Sequence, residues 1–557
     1  MVNKDSKNSF SNLPSCAADY IKLIIKKMRW QKKTRKDVEA ELIAHFEDAL
    51  KDCKTEGEKQ TTAEKLITEF GDAKLIATLA RRAKKRCRPL WQKTLIGAFQ
   101  VIGIIIVLFI LYVSWFISGR PKITFNYVAE LNRIVKPSDS NESQNATFYY
   151  SKAAKGIEPF PENLKNIFGK SYYECNEPEK RQGQDWLAKN QQVLNLVATG
   201  SEKPYCWDKY ESKNNDMMSV LLPHLKEYKD IARILCWKAC FSASEGNYRQ
   251  GFEDIITTYK LGKHIKTEPI LIEQLVGIAI ENLSAQNLRQ ILIRYNIDAL
   301  ELRKVQDELS TITQNETFRM NFKAEKFCMY DAIQQLFTDD IFGGHIYLKE
   351  FWKLMSEIIG ANGTQKQGFW VSSKSLFQAL FIQPGKKETL KSANEIYDDY
   401  YGKLSALTLF EQRSMATNMH KKLQELASKN MFLTILYPGF DKISGLAYVN
   451  KAEIQATTAI IAIIRYKQEN GGTYPDKLEQ LLDKGLLKEI PLDPYSDKPL
   501  VYKKTENGFT LYSVGDDFVD NGGKACKKQA GRSSIWPSDS NDSDAVLWPI
   551  VHSTNKK

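Results

Sequence analysis

The sequence predicts a mainly α protein: a small cytoplasmic helical bundle, a single transmembrane helix, a large helical extracytoplasmic domain and a small α+β head near the C-terminus. Three observations carry this. One run of 23 residues holds no charge, apolar residues recur at helical spacing over most of the chain, and strand-type runs are confined to about 500–514. With 557 residues, 43% hydrophobic and 26% charged, the composition is globular and excludes a mainly disordered, collagenous or multi-span chain. The organisation read from it is 1–93 as the cytoplasmic bundle with a basic run, 95–117 as the span and 118–220 as an irregular stalk. Then come 221–449 as a helical domain, 450–523 as the head and 524–557 as a tail.

The first piece reads as four short helices over 18–86. Ile21, Ile24, Ile25 and Met28 share one face, and Val38, Leu42, Phe46 and Leu50 form the next stripe. Thr34 with Asp37 and Thr61 with Glu64 have capping-box spacing, Gly71 suits a helix C′ position, and Asp72 can cap the helix of Leu75, Ile76 and Leu79. Pro89 separates the bundle from the apolar run.

Leu95–Ile117 then runs 23 residues without a charge. At 1.5 Å per residue it reaches about 34 Å, enough for a hydrocarbon core of about 30 Å. Trp91, Tyr112 and Trp115 suit the interfaces. The run is too long and too far from the start for a signal peptide. The net charge of +12 is concentrated before it: residues 1–93 hold 22 Lys and Arg against 13 Asp and Glu, a surplus of nine. Arg81, Arg82, Lys84, Lys85, Arg86, Arg88 and Lys93 precede the span, and only Arg120 and Lys122 follow closely. The positive-inside bias therefore predicts a cytoplasmic N-terminus and a nearly neutral bulk outside. Membrane lipid accounts for the basic run, so nucleic acid is not an expected partner.

The strings Arg35-Lys-Asp-Val-Glu-Ala-Glu-Leu-Ile-Ala-His-Phe-Glu-Asp48 and Phe70-Gly-Asp-Ala-Lys-Leu-Ile-Ala77 resemble the HAAS, or permease-prefix, domain of bacterial membrane proteins. Ala73 stands where that family usually has Pro. The resemblance covers about 65 residues and implies a helical cytoplasmic module without catalysis of its own. His45 lies in it as a polar helix position, and Cys53 eight residues on forms no ligand pattern with it.

Beyond the span, 122–183 is rich in Ser, Asn, Pro and Tyr and reads as irregular. From Leu221 the helical signal strengthens. Ile231, Ile234, Leu235 and Ala239 lead into Glu245-Gly-Asn-Tyr248 and a second helix through Ile255, Ile256, Tyr259 and Leu261, one tetratricopeptide-like hairpin without a second copy. Further helices are expected over 268–293, 298–337, 345–360 and 388–430, with a break at Gly360, Gly363, Gly368, Pro384 and Gly385.

Catalytic signatures are lacking. His45, His224, His264, His345, His420 and His552 form no HExxH, and no phosphate loop, GxSxG elbow or CxxCH occurs, so no catalytic residue is assigned. Glu325 and Asp331 are the most suggestive acids, but six residues apart they leave one helix face; they either line a polar pocket between helices or are solvated or capping carboxylates. Cys175, Cys206, Cys236, Cys240, Cys328 and Cys526 fall outside in the expected topology, which permits disulfides or buried thiols. Cys236 and Cys240, four apart on a helix, do not suit each other.

The C-terminal part is the most informative. A helix over Lys451–Tyr466, apolar nearly all round, precedes strands at Leu500–Lys503 and Phe509–Val514 joined by an Asn507-Gly508 turn. The stretches RYKQENGGTYPDKLEQLL, IPLDPYSDKPLVY and LYSVGDDFVDNGG together resemble the head of type II secretion pseudopilins of the G-type class. The prepilin cleavage site and polymerising helix of that family are absent here, so pilus assembly is not implied. The resemblance implies a helix packed on a small antiparallel sheet, used for interaction. It also implies a calcium loop, whose matching residues are Asp516, Asp517, Asp520 and Asn521; an acidic turn bonding its own backbone is the other reading. In the tail, Trp536, Val546, Leu547 and Trp548 suggest docking.

The expectation is thus a single-pass scaffold or signalling protein of the bacterial envelope, with unknown protein partners and a possible link to secretion-type assemblies. The order of parts resembles bacterial membrane proteins in which a helical region precedes a YSVGxDxxDxGG ending. The alternative is an envelope hydrolase using carboxylates of the helical domain. A deep pocket with two or more convergent, perturbed acids favours the hydrolase, and a shallow, pocket-free helical surface favours the scaffold.

Overall fold

A computed structural model describes residues 10–28, 32–86, 90–138, 141–158, 162–313, 319–340, 343–353, 377–378, 381–413, 421, 424–426, 429–430, 432–433, 443, 445–525, 536 and 543–549. Cys87, Arg88, Pro89, Gly360, Gly363, Gly368, His420, Cys526 and His552 lie outside the described residues. The chain divides into two compact units, Met1–Trp115 and Phe116–Lys557.

In the first unit, α1 (Ser15–Lys27), α2 (Lys32–Leu50), α3 (Glu56–Phe70) and α4 (Ala73–Arg86) bury the apolar stripes read from the sequence. Ala17, Ile21, Phe46, Leu50 and Ala63 form one core, and Ile24, Met28, Val38, Ala73 and Ala77 a second. The caps differ from expectation. Thr55 and Glu58 make the capping box of α3, while Thr61 lies inside that helix and its hydroxyl donates to the Gly57 carbonyl at 2.9 Å. The T-x-x-E spacing occurs twice, and Gly57 does not interrupt the helix. Thr34 likewise sits within α2. Gly71 does end α3, at φ +81°. Exposed His45 meets the Phe70 ring edge-on at 5.4 Å.

Helix α5 (Leu90–Ile117) contains a 24-residue stretch, Thr94–Ile117, whose most apolar window has mean hydropathy 2.7 and no buried residue. It is long and apolar enough to cross a membrane. Ile104, Leu108 and Leu111 are each about 60% exposed, a burden that water does not normally accommodate.

The second unit begins with a correction. The 118–220 segment holds α6 (Tyr127–Val135), α7 (Ala146–Gly156), α8 (Glu162–Gly169), α9 (Glu177–Lys189) and α10 (Gln191–Ser201) in place of an irregular stalk. Tyr150, Trp186, Leu194 and Val197 belong to the unit's main core. The asparagines that make the segment look irregular are helix caps: Asn126, Asn145 and Asn176 accept backbone N–H bonds at the starts of α6, α7 and α9.

The centre is α11 (Leu225–Ser244), α12 (Tyr248–Lys266) and α13 (Leu271–Arg294), with α12 packed against both neighbours. The Glu245-Gly-Asn turn forms as read, with Gly246 at φ +80° and Asn247 capping α12. Helices α12 and α13 touch through glycine: a Cβ on Gly277 would stand 2.3 Å from the Lys266 nitrogen and 2.6 Å from the Gly262 oxygen. Two backbones can meet this closely only without side chains. The expected 298–337 helix is two, α14 (Ala299–Thr313) and α15 (Lys323–Leu336).

After α16 (Lys386–Asn394) comes α17 (Leu446–Glu469), which packs on α13, α14 and the sheet. The sheet is antiparallel in the order β1 (Val501–Lys504), β2 (Phe509–Ser513) and β3 (Ala545–Trp548), with a register shift at Leu511/Tyr512. The tail thus supplies a strand. Ile454, Ile460, Leu511 and Leu547 share one apolar cluster with Ile255 and Leu288, so the α+β part is fused to the helical body and does not stand apart as a head. Arg289 of α13 and Glu453 of α17, both fully buried, join the two parts through a 2.5 Å ion pair.

Candidate functional site

The tight turn between α12 and α13 sets the site. The glycine crossing brings the helices together, and Thr267-Glu-Pro-Ile270 connects them, leaving Glu268 just past α12 and Glu273 in the first turn of α13. Tyr210 approaches from a loop whose backbone is gripped twice by Asn132: the Tyr210 N–H donates to Asn132 Oδ1 at 2.8 Å, and Asn132 Nδ2 donates to the Tyr210 carbonyl at 3.0 Å. The phenol oxygen lies 2.9 Å from Glu268 Oε2 and 2.7 Å from Glu273 Oε2.

A phenol has one hydrogen and can donate it to only one carboxylate. The second short contact therefore needs a carboxylic acid donating to the phenol oxygen. Electrostatics agree. Burial, then mutual repulsion and Asp208, pushes Glu268 up to about 8; burial, with Glu325 and Asp208 adding to it, pushes Glu273 up to about 7. Near neutral pH the pair holds one shared proton and about one negative charge. Burial also pushes the Tyr210 hydroxyl well up, so it stays protonated.

These groups form the floor of a cavity of about 310 Å³. Its walls include Leu222, Leu225, Tyr228 and Ile265; exposed Lys155, Asp208, Lys209 and Glu211 form a rim of balanced charge. The Cys206 sulfur sits 3.1 Å from the Thr147 hydroxyl. His224, also lining the cavity, holds φ +77°, a left-handed conformation rare for a residue with a Cβ.

The acids singled out in the sequence stand beside this site, not in it. Glu325 Oε1 accepts the Leu271 N–H at 2.7 Å at the start of α13, and burial pushes it up to about 7. Asp331 accepts the Met217 N–H at 2.7 Å. Sequence reasoning missed Glu268, Glu273 and Tyr210; the available signal was two glutamates flanking Pro269 in an apolar stretch, directly after a helix containing Gly262.

The proposed calcium residues lie after β2. Asp517 accepts the Val519 N–H and the Asn521 amide, at 2.9 and 2.8 Å. Asp520 accepts the Tyr512 hydroxyl and the Gly522 N–H, both at 2.8 Å. Buried Asp544 of the tail accepts the N–H groups of Asn521, Gly523 and Lys524. Those carboxylates close the loop on its own backbone, and among the described residues no group of three or more His, Cys, Asp or Glu could hold a metal ion. Asp493 acts similarly, fixing the turn through Ser513, Val514 and Tyr495. Cys16, Cys53, Cys175, Cys206, Cys236, Cys240 and Cys328 are free thiols.

A second arrangement holds the chain where it leaves α5. His345 Nε2 donates to the Phe116 carbonyl at 2.7 Å, and its ring lies 4.6 Å from that of Phe116. Gln334 of α15 accepts the Thr124 and Phe125 N–H groups and donates to the Phe125 carbonyl at 2.7 Å. Comparisons with protein-family models, with curated proteins and with solved structures found no match.

Proposed function

We propose that the protein is a single-pass membrane protein of the bacterial envelope that binds a small ligand in its extracytoplasmic helical body. One observation carries the ligand reading: buried Glu273 and half-buried Glu268 converge on the Tyr210 hydroxyl, at 2.7 and 2.9 Å, on the floor of a cavity of about 310 Å³. Buried acids without counter-charge destabilise a fold, and they concentrate where a site needs them. A scaffold alone gives no reason for them. The test is native mass spectrometry of the full chain in detergent micelles after incubation with a host metabolite extract. Retention of a small-molecule adduct by the wild type, and its loss in Tyr210→Phe, is expected; identical adducts in both, or none, would sink the reading.

Orientation rests on Arg81, Arg82 and their basic neighbours before α5, against Arg120 and Lys122 after it. That basic run also suits anionic lipid headgroups. A C-terminal reporter active only in the cytoplasm would reverse the assignment. The HAAS-like motif makes residues 18–86 a cytoplasmic module of a signalling kind, and the pseudopilin-like motifs make the α+β part a surface for protein partners of a secretion-type assembly.

The shared proton also favours a second reading, a hydrolase with one glutamate as acid and the other as base. The phenol standing between the two carboxyl groups suits binding better than in-line chemistry. Substrate turnover that disappears in Glu268→Gln would decide for the enzyme.

A further inference from the structure

We infer that the ligand of this cavity carries a protonated amine, which docks on Glu268 and Glu273 with an apolar body along Leu222, Leu225 and Tyr228. The inference rests on the ligand-binding reading above and adds its chemical class. Four observations lead to it.

Charge comes first. Glu268 feels the charges of Glu273 and Asp208, and Glu273 those of Glu325 and Asp208, so the charges that act most strongly on the pair are carboxylates. The nearest lining cations, Lys155 and Lys209, are exposed on the rim and are matched there by Asp208 and Glu211. The floor is negative and the mouth is balanced.

Donors come second. The phenol can donate to only one carboxyl group and a carboxyl proton holds the other contact, whereas an ammonium brings three N–H donors and can reach both. Its arrival replaces that carboxyl proton, which leaves to solvent, with a charge-assisted bond to each carboxylate.

Metal chemistry is the natural competitor for such a floor, but no set of three or more candidate ligands converges among the described residues. The cation is therefore organic. Size comes last: at roughly 30 Å³ per water-sized group the cavity takes about ten non-hydrogen atoms. The half-buried Leu222 and Leu225 and the buried Tyr228 give such a molecule an apolar wall.

The test is titration calorimetry of the full chain in detergent micelles with three probes of one shape: phenethylammonium, phenethyl alcohol and 3-phenylpropionate. The ammonium is expected to bind at least ten-fold more tightly than the other two, and Glu268→Gln and Glu273→Gln each to weaken it at least ten-fold. Leu222→Arg, on the half-exposed wall, is expected to block it as well and serves if a floor variant does not fold. Equal or tighter binding of the alcohol or the acid, lost in Leu222→Arg, would overturn the amine class and leave a ligand-binding cavity. Ammonium binding unchanged in all three variants would overturn the site. Binding of no probe would overturn the inference together with the reading beneath it.

Discussion

The Arg289–Glu453 pair offers a direct measure of how the α+β part is joined to the helical body. Both side chains are fully buried and their charged groups lie 2.5 Å apart. Arg289 also donates to the Thr457 hydroxyl at 2.7 Å, and Glu453 accepts the Trp536 indole N–H at 2.7 Å. In Glu453→Ala the guanidinium is left buried without its counter-charge, which costs about 3–5 kcal/mol. In the double variant Arg289→Met/Glu453→Met no charge is stranded. The losses reduce to the bonds to Thr457 and Trp536, about 1 kcal/mol each, so the double variant should be only about 2 kcal/mol less stable than wild type. For a unit of about 440 residues, at about 2.1 cal/mol/K per residue, 1 kcal/mol shifts the melting temperature by about 1 °C. Thermal unfolding followed by circular dichroism should therefore show the single variant about 3–5 °C below wild type and the double variant about 2 °C below. A double variant as unstable as the single one, or worse, would refute the reasoning, because the loss would then reflect packing and not a stranded charge.

Other perturbations have equally definite outcomes. Glu268 and Glu273 titrate higher folded than unfolded, so the folded state holds more protons between about pH 4.5 and 8; stability is fully present below that window and should fall by on the order of a few kcal/mol as pH rises through it, a slope that melts of the Glu268→Gln/Glu273→Gln variant should flatten. Gly277→Ala must push α12 and α13 apart and should cost at least about 1–3 kcal/mol, read in the same melts together with loss of ligand binding. Thr55→Ala removes the capping box of α3 and should destabilise the first unit by about 1 kcal/mol, with Thr61→Ala nearer neutral; the reverse order would reinstate the cap first read at Thr61. Calcium should leave the melting temperature unchanged, because Asp517 and Asp520 are engaged by their own loop; a rise that Asp520→Asn abolishes would restore the calcium site.

Much of the fold was legible wherever burial imposes a period. The stripes through Ile21–Met28 and Val38–Leu50, the Glu245-Gly-Asn turn and the hairpin at Asn507-Gly508 came from local patterns that the structure keeps. The 118–220 helices were not legible because Asn126, Asn145 and Asn176 promote turns and caps alike, and only tertiary packing, of α6 on α15 and of α7 and α10 on α11 and α12, decides between those uses. The third strand was hidden because Ala545–Trp548 pairs with a partner more than thirty residues earlier in the chain. The site escaped for a similar reason. Tyr210 and Glu273 are separated by 63 positions, and their meeting depends on a glycine contact between two helices that a one-dimensional pattern does not record.

Helix α15 is pinned at both ends. Glu325 in its first turn holds the Leu271 N–H beside Glu273, and Gln334 near its last holds Thr124 and Phe125, where the chain has just left α5. Fourteen residues make a rod of about 21 Å. The start of α13, which carries Glu273, and the segment that leaves the apolar helix are therefore held by two ends of one rod. A tilt of that rod by a few degrees, too small to break any of its anchoring bonds, would displace the far end by an ångström or more. Any displacement of the start of α13 that α15 followed would therefore be felt at Thr124 and Phe125 without a hinge in between.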